Sequence, residues 1–557
     1  IDIHTQKRGI ALRKRASENE TKPSKPLAKR ILKVVLIVLA VPISIITIVV
    51  TAALIFTALQ KPVFVNKELD LHHKLYIPEL LQPRIENGEK VFDLTVQKGE
   101  QEFLPGKRTN TIGYNGSYLG PTIRARKGDK VRMNVTNKLP DPTTSHWHGM
   151  ELPAAMDGAA HQIIKSGENW QPSWTITNEA ASLWYHPHLM GKTGEQVYRG
   201  LAGAFIIDDD NSDRLNLPKE YGIDDIPLIV QDRSFDQNNQ FVYDPGHTDV
   251  LGHTGMHGDK ILVNGTYAPY ADVPAKQIRL RILNGSNSRR YDFGFEDGRT
   301  FHQIATDGGL LVGPVARTHM TLAPAERAEI VIDLANEARP ITLISNPVRE
   351  ESRVLRFMRT VLRAERDENQ KFKIIELRPQ PVNAKPVPLP QKLNTIDRLK
   401  AIDAVKTRQF TLDPKSKSIN GKEMNHSRID QLVHSGDTEI WEIRNQSGVY
   451  HPFHIHGVQF QILDWSDLIG KRRPPKDYER GWKDTVLVPN AETVRVIMRM
   501  PKYSDPHLPY MFHCHILEHE DMGMMGQFMV VDRSVKREDI FVQSKLTESG
   551  LEAIHTH

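Results

Sequence analysis

Four clusters stand out in this chain, each with two histidines two residues apart: His146-Trp147-His148, His186-Pro187-His188, His454-Ile455-His456 and His513-Cys514-His515. Side chains at i and i+2 share one face of a β-strand, whereas a helix turns them to nearly opposite sides. A chain that uses such pairs together must therefore present them from extended backbone. Any single pair reads as two ordinary strand histidines. Four pairs, one of them bracketing the only cysteine among 557 residues, read as a metal system.

Strand parity sorts the candidates into two sets. His513 and His515 face one way, so Cys514 faces the other. In His451-Pro452-Phe453-His454-Ile455-His456 the last two histidines share a face, and His451, offset by an odd number, lies opposite. Cys514, His451 and His519 then form a His₂Cys set with Met524 as a weak axial ligand, the composition of a blue-copper electron-transfer site. The remaining eight (His146, His148, His186, His188, His454, His456, His513 and His515) suffice for a polynuclear copper cluster. Structural zinc closes with four ligands and has no use for eight imidazoles. A lone cysteine also excludes intramolecular disulfides and four-cysteine sites.

Period-two hydrophobic patterns dominate the chain. Val131, Met133 and Val135 run to Asn137; Ile278, Leu280 and Ile282 run to Asn284; Trp441 and Ile443 run to Asn445, with Glu439 the exception. These read as half-buried strands, and their spacing of 147 and 161 residues matches domain lengths. The expectation is an all-β chain of three related sandwich units at 85–210, 222–378 and 405–535. Linkers are expected at 60–84 and, through the proline-rich Pro379–Gln391, at 379–404. The charged stretch 349–373 reads as a solvated excursion, and 536–557 as a polar tail.

The four clusters, in this order, resemble the copper signatures of the multicopper oxidases, the family of laccases, bilirubin oxidases and bacterial copper-tolerance oxidases. The resemblance spans about residues 85–535. It includes Gly113-Tyr114-Asn115-Gly116, Gly191-Lys192-Thr193-Gly194, Gly481-Trp482-Lys483-Asp484 and Glu518-His519-Glu520-Asp521, and is closest to bacterial three-domain members. It implies three cupredoxin-like Greek-key sandwiches, with a type 1 copper in the third and a trinuclear cluster between first and third. Position by position, His451, Cys514, His519 and Met524 resemble the type 1 ligands. His146 and His454 resemble the type 2 ligands. His148, His186, His188, His456, His513 and His515 resemble those of the type 3 pair. Four copper ions and dioxygen as acceptor follow from the resemblance.

Reducing dioxygen to water consumes protons, and carboxylates near the cluster can relay them. Asp157 and Glu520 resemble the family's relay positions; the bland readings are a surface loop acid and a helix-surface acid. Asp484 reads equally as an orienter of a ligand imidazole or as an exposed turn acid. His253, Met256 and His257 read as a plain loop, with copper passage the sharper alternative. The resemblance also places the type 1 histidines near the surface, within reach of a donor. Copper-exporting relatives carry a methionine-rich insert, and Asp and Met four and two residues before the first type 1 histidine. Here 343–417 holds only Met358, and Ser447 and Val449 stand at those positions. The donor class is therefore phenols, amines or low-valent metal ions. Alternatives are a copper-tolerance (cuprous) oxidase, a copper-storage protein without turnover, or a nitrite-reducing copper enzyme.

The formal charge of +5 belongs to the N-terminal tail: residues 1–33 hold ten Lys/Arg and three acids, leaving 63 basic against 65 acidic residues elsewhere. The body has no basic surplus to attract nucleic acid. The 26 residues 34–59 carry no charge, enough to cross a bilayer, and the preceding basic flank orients the N-terminus to the cytoplasm. The expectation is a single-pass anchor with the catalytic domains outside; a cleaved signal is the competing reading, with a shorter apolar core.

Overall fold

The computed structural model describes residues 63–543 apart from 247, 250–251, 349–369, 384–386 and 414–416, together with a few positions between 31 and 51. The chain forms two compact units, one of residues 1–61 and 350–363, the other of 62–349 and 364–557, and every described strand belongs to the second. The expected anchor at 34–59 lies almost wholly outside the described residues, and among those described no helix is long and apolar enough to cross a membrane.

The second unit is built from β-sheets that pair around three hydrophobic cores. The first core packs Phe92 and Val131, from a six-stranded sheet, against Trp147, Leu183 and Phe205, from a four-stranded one. The next lies between two seven-stranded sheets and holds Leu280, Phe293 and Ile330. The last lies between two five-stranded sheets and holds Trp441, Phe453, Phe512 and Cys514. Among the described residues, the α-helices of this unit are short: Thr193–Arg199, Asp210–Arg214 and Leu517–Asp521.

The period-two segments are strands Lys130–Asn137, Gln277–Asn284 and Thr438–Asn445. Each ends in a buried asparagine with the same wiring. Asn137, Asn284 and Asn445 accept through Oδ1 from the backbone N–H two residues on, at 2.9, 3.1 and 2.8 Å. Each donates through Nδ2 to one nearby carbonyl and one distant carbonyl. An asparagine side chain offers both donor and acceptor, so one residue closes the strand end in three places.

Four differences from the sequence reading have physical causes. Glu439 points inward because buried Arg408 grips it through Nε (2.5 Å) and Nη2 (2.7 Å). Arg279 and Arg281, expected on a wet face, are only 6% and 5% exposed, because that face packs on partners that neutralise them. Residues 63–64 and 73–74, within the expected linker, are short strands paired in parallel with 370–371 and 269–270. Gln370–Lys373, expected in the solvated excursion, begin the strand Gln370–Gln380; the rest of that excursion lies outside the described residues.

Candidate metal centre

Backbone pairing brings the histidine pairs together. His146–His148 lies antiparallel to Ala181–His186, with His186 opposite His146. His451–Ile455 lies antiparallel to Tyr510–Cys514, with His454 opposite His513 and Phe453 opposite Cys514. Trp147, Phe453 and Cys514 fill the cores, and the flanking histidines face the opposite way, as parity requires.

His451, Cys514 and His519 place their ligand atoms within 4.8 Å of one another. Cys514 Sγ lies 3.3 Å from His451 Nδ1 and 3.5 Å from His519 Nδ1. Met524 is buried in the same core and pinned beside them: its N–H donates to the His519 carbonyl (2.9 Å), and its carbonyl accepts from Cys514 N–H (3.1 Å). Gly523, at φ +100°, makes this possible by ending the helix Leu517–Asp521 in a conformation glycine adopts freely. Burial pushes the Cys514 thiol well up, so a bound cation is needed to hold it as thiolate. His451 and His519 are both fully buried, and Ser447 Oγ sits 2.7 Å from His451 Nε2. The surface edge expected at this site is therefore covered.

The other eight imidazoles form one buried cluster. His146–His454–His456, His146–His148–His186 and His188–His456–His513 each gather their ligand atoms within 4.8 Å. His515 joins through ring contacts of 5.1 Å with His148 and 5.4 Å with His186. Outward-facing nitrogens are held by acceptors. His146 Nδ1 donates to the Asp157 carbonyl (2.9 Å), His454 Nδ1 to the Asp484 carbonyl (2.8 Å), His186 Nδ1 to the Pro187 carbonyl (2.8 Å) and His456 Nδ1 to Asp157 Oδ2 (2.7 Å). An acceptor on one ring nitrogen leaves the lone pair on the other. Those nitrogens converge: His513 Nε2 lies 3.1 Å from both His188 Nε2 and His456 Nε2. Nε2 of His146, of His454 and of His515 is buried with no hydrogen-bond partner. Burial first, then crowding by like groups, holds His148, His186, His454 and His456 well below the ordinary imidazole range and His515 at about 3. Neutral imidazoles with converging, unmatched lone pairs are what a bound metal requires, and with the buried thiol they fit copper.

The three candidate acids all lie inside. Asp157 is fully buried, so the surface-loop reading is wrong for it; its Oδ1 is also 3.4 Å from His146 Nδ1. Glu520 is buried between His188 Nδ1 (3.3 Å) and His513 Nδ1 (3.2 Å), not on a helix surface. Asp484 is buried too, with Oδ1 accepting from His148 Nε2 at 3.0 Å. In the loop after 252, Met256 is buried and its N–H donates to Glu518 Oε2 (3.2 Å).

Sequence reading missed Arg327. This arginine of the second sandwich clamps Asp484 with Nη1 (2.7 Å) and Nη2 (2.6 Å). Burial alone would raise the Asp484 carboxyl, but the guanidinium outweighs it and holds it below its ordinary value. Gly149 keeps this contact open: at φ +85° its Cβ would stand 2.5 Å from Asp484 Oδ2. The available signal was a run of charge, Glu326-Arg327-Ala328-Glu329, opening an otherwise apolar strand.

Known proteins agree with the geometry. Family models described as multicopper oxidase match residues 95–212 and 390–534. "Multicopper oxidase mco" of Staphylococcus aureus is 36% identical over 82% of this chain and 92% of its own length. "Cell division protein FtsP" of Xenorhabdus nematophila matches equally, 36% over 82% and 92%. The solved structure of CueO from Ochrobactrum sp., described as a laccase-like multicopper oxidase with activity towards lignin model compounds, superposes at a TM-score of 0.73. It is 33% identical and covers 82% of this chain and 100% of that one. Identity above one third over more than four fifths of its length makes this chain a member of the multicopper oxidase family.

Proposed function

We propose that this oxidase carries four copper ions: a type 1 ion on His451, Cys514, His519 and Met524; a type 2 ion on His146 and His454; and a type 3 pair on His148, His186, His188, His456, His513 and His515. The observation that carries the reading is the tripeptide His513-Cys514-His515, which joins the His₂Cys site covalently to the eight-imidazole cluster. When bound, copper supplies the redox chemistry, taking electrons singly from a donor and passing four to dioxygen.

The residues do the rest. Asp157 accepts the His456 N–H and fixes the tautomer that turns its other lone pair inward, while Glu520 stands 3.3 and 3.2 Å from His188 and His513 Nδ1, so both carboxylates lie within proton-transfer reach of the oxygen-reducing site. Asp484, braced by Arg327, orients His148. The full burial of His451 and His519 excludes an inner-sphere donor, so electrons cross the protein that covers them. That favours outer-sphere donors such as phenols and amines, in keeping with the laccase-like relative; metal ions are the second class. The neutral Ser447 against His451 adds no negative charge for a cation.

We further propose three units at 85–210, 222–378 and 405–535, anchored through 34–59 with the body extracytoplasmic. The uncharged run behind a basic flank supports this; release of the protein into the supernatant at alkaline pH would sink it. Cys514→Ser tests the wiring. The copper-loaded variant should lose blue absorbance and oxygen uptake together, and surviving turnover would overturn the assignment.

A further inference from the structure

Outside the twelve proposed ligands, one cluster of soft side chains stands apart. Met190, Met424, Met511 and Met525 pack into a single apolar group. Met511 and Met525 are fully enclosed, Met424 is 9% exposed, and Met190 is half-buried, so the group reaches the surface on one side. Two histidines adjoin it along the chain: His161 in the loop after Asp157, and His426 two residues beyond Met424. Their rings lie 5.5 Å apart, edge to face, and both residues are buried.

Gln527 settles the protonation of His161. Its Nε2 faces three carbonyls, of Asn425 (3.3 Å), His426 (3.0 Å) and Arg428 (2.5 Å), and only an amide nitrogen suits three acceptors. Its Oε1 is therefore the atom 2.8 Å from His161 Nε2, and that nitrogen carries the hydrogen. A neutral His161 then has a bare lone pair on Nδ1, which is buried and has no hydrogen-bond partner. His426 Nδ1 is likewise buried without a partner. Burial lowers both imidazoles, His426 to about 4, so both are neutral at pH 7. A buried acceptor without a donor is costly and asks for an explanation.

We propose that His161 Nδ1 and His426 Nδ1, with the thioethers of Met424 and Met511, form a binding site for a cuprous ion. The set is uncharged and lacks a carboxylate. Thioether and imidazole together suit soft Cu(I) and not magnesium or calcium, which take oxygen ligands. Met511 stands two residues before His513 on one strand, so the site lies next to the proposed catalytic cluster while sharing no residue with it.

The copper-loaded full-length protein is reduced without oxygen and titrated with Cu(I) against a chromogenic cuprous chelator. The wild type should bind one equivalent beyond its filled sites. Met424→Leu with His426→Phe, chosen to conserve volume, should lose that equivalent while keeping blue absorbance and oxygen uptake with a phenol. Crystals soaked in Ag(I) should show an anomalous peak at His161 Nδ1 and His426 Nδ1. No extra equivalent in the wild type, or one that the double variant keeps, overturns the site; so does a silver-free pocket. If the variant fails to fold, its blue band disappears and the silver experiment on the wild type decides. Missing blue absorbance in the wild type would instead sink the oxidase assignment and leave the cuprous count readable.

Discussion

At the scale of single residues, the acids beside the imidazoles separate geometry from redox. Asp157→Asn keeps a side chain at 2.7 Å from His456 Nδ1 but cannot hold a proton. Its expected phenotype is a kcat down by about 10²-fold, in the range for loss of a proton-transferring group, with blue absorbance unchanged. Glu520→Gln should behave alike. Steady-state oxygen uptake beside the visible spectrum checks both, and normal kcat in either variant removes that acid from the relay. Asp157 and Glu520 were legible as candidates only through their resemblance to the family's relay positions. Their burial was not, since an acid after a histidine pair is equally at home on a surface. Cys514 was the most legible residue of all: parity alone separated it from His513 and His515.

At the scale of elements, the strand-end asparagines and the clamp on Asp484 make opposite points. The asparagine wiring is local enough to repeat, and its sequence trace was visible as three alternating strands ending alike. Asn284→Ala would leave the Ser286 N–H and the Arg289 and Leu322 carbonyls without this partner. The expected cost is about 1–3 kcal/mol, read by denaturant unfolding, with the blue band intact because no proposed ligand lies in that strand. The Arg327–Asp484 clamp spans 157 positions, and no pattern of period two or 3.6 encodes it. Arg327→Ala strands a buried carboxylate, at a cost of about 3–5 kcal/mol. The positioning role predicts more than instability: Arg327→Lys, which keeps the charge but not the two-pronged grip, should perturb the electron paramagnetic resonance signal of the type 2 copper, because its proposed ligand His454 donates to the Asp484 carbonyl. A type 2 signal identical to wild type in folded Arg327→Lys would reduce the clamp to scaffolding.

At the scale of the whole molecule, the sandwiches are joined through buried charge. Glu329, in the second, accepts from Arg279 Nε (2.8 Å), from Arg281 Nη1 (2.8 Å) and from Ser182 Oγ (2.6 Å), the serine belonging to the first. Burial would raise the Glu329 carboxyl, but the two guanidinium groups outweigh it and bring it to about 2 from an ordinary 4.5. A depressed carboxylate stabilises the fold fully above its unfolded value and loses that contribution as pH falls through the folded one. Stability should thus decline between about pH 4.5 and pH 2, by roughly 3 kcal/mol from this group. Glu329→Gln should flatten that part of the curve in acid unfolding followed by fluorescence; an unchanged slope would assign the acid sensitivity elsewhere. What the chain determined by itself was local and periodic. Alternation made the strands, the two-residue spacing aligned the histidines, and the odd offset at Cys514 split them into two sets, because a strand's faces follow from backbone geometry alone. What only the tertiary structure decided was which faces meet and what they exclude: a covered His451 and His519, buried acids, Arg327 reaching across from another sandwich, and the buried, unpartnered Nδ1 atoms of His161 and His426. Those depend on packing between segments hundreds of residues apart, where burial sets charge state and hydrogen-bond partners, and no local pattern records it.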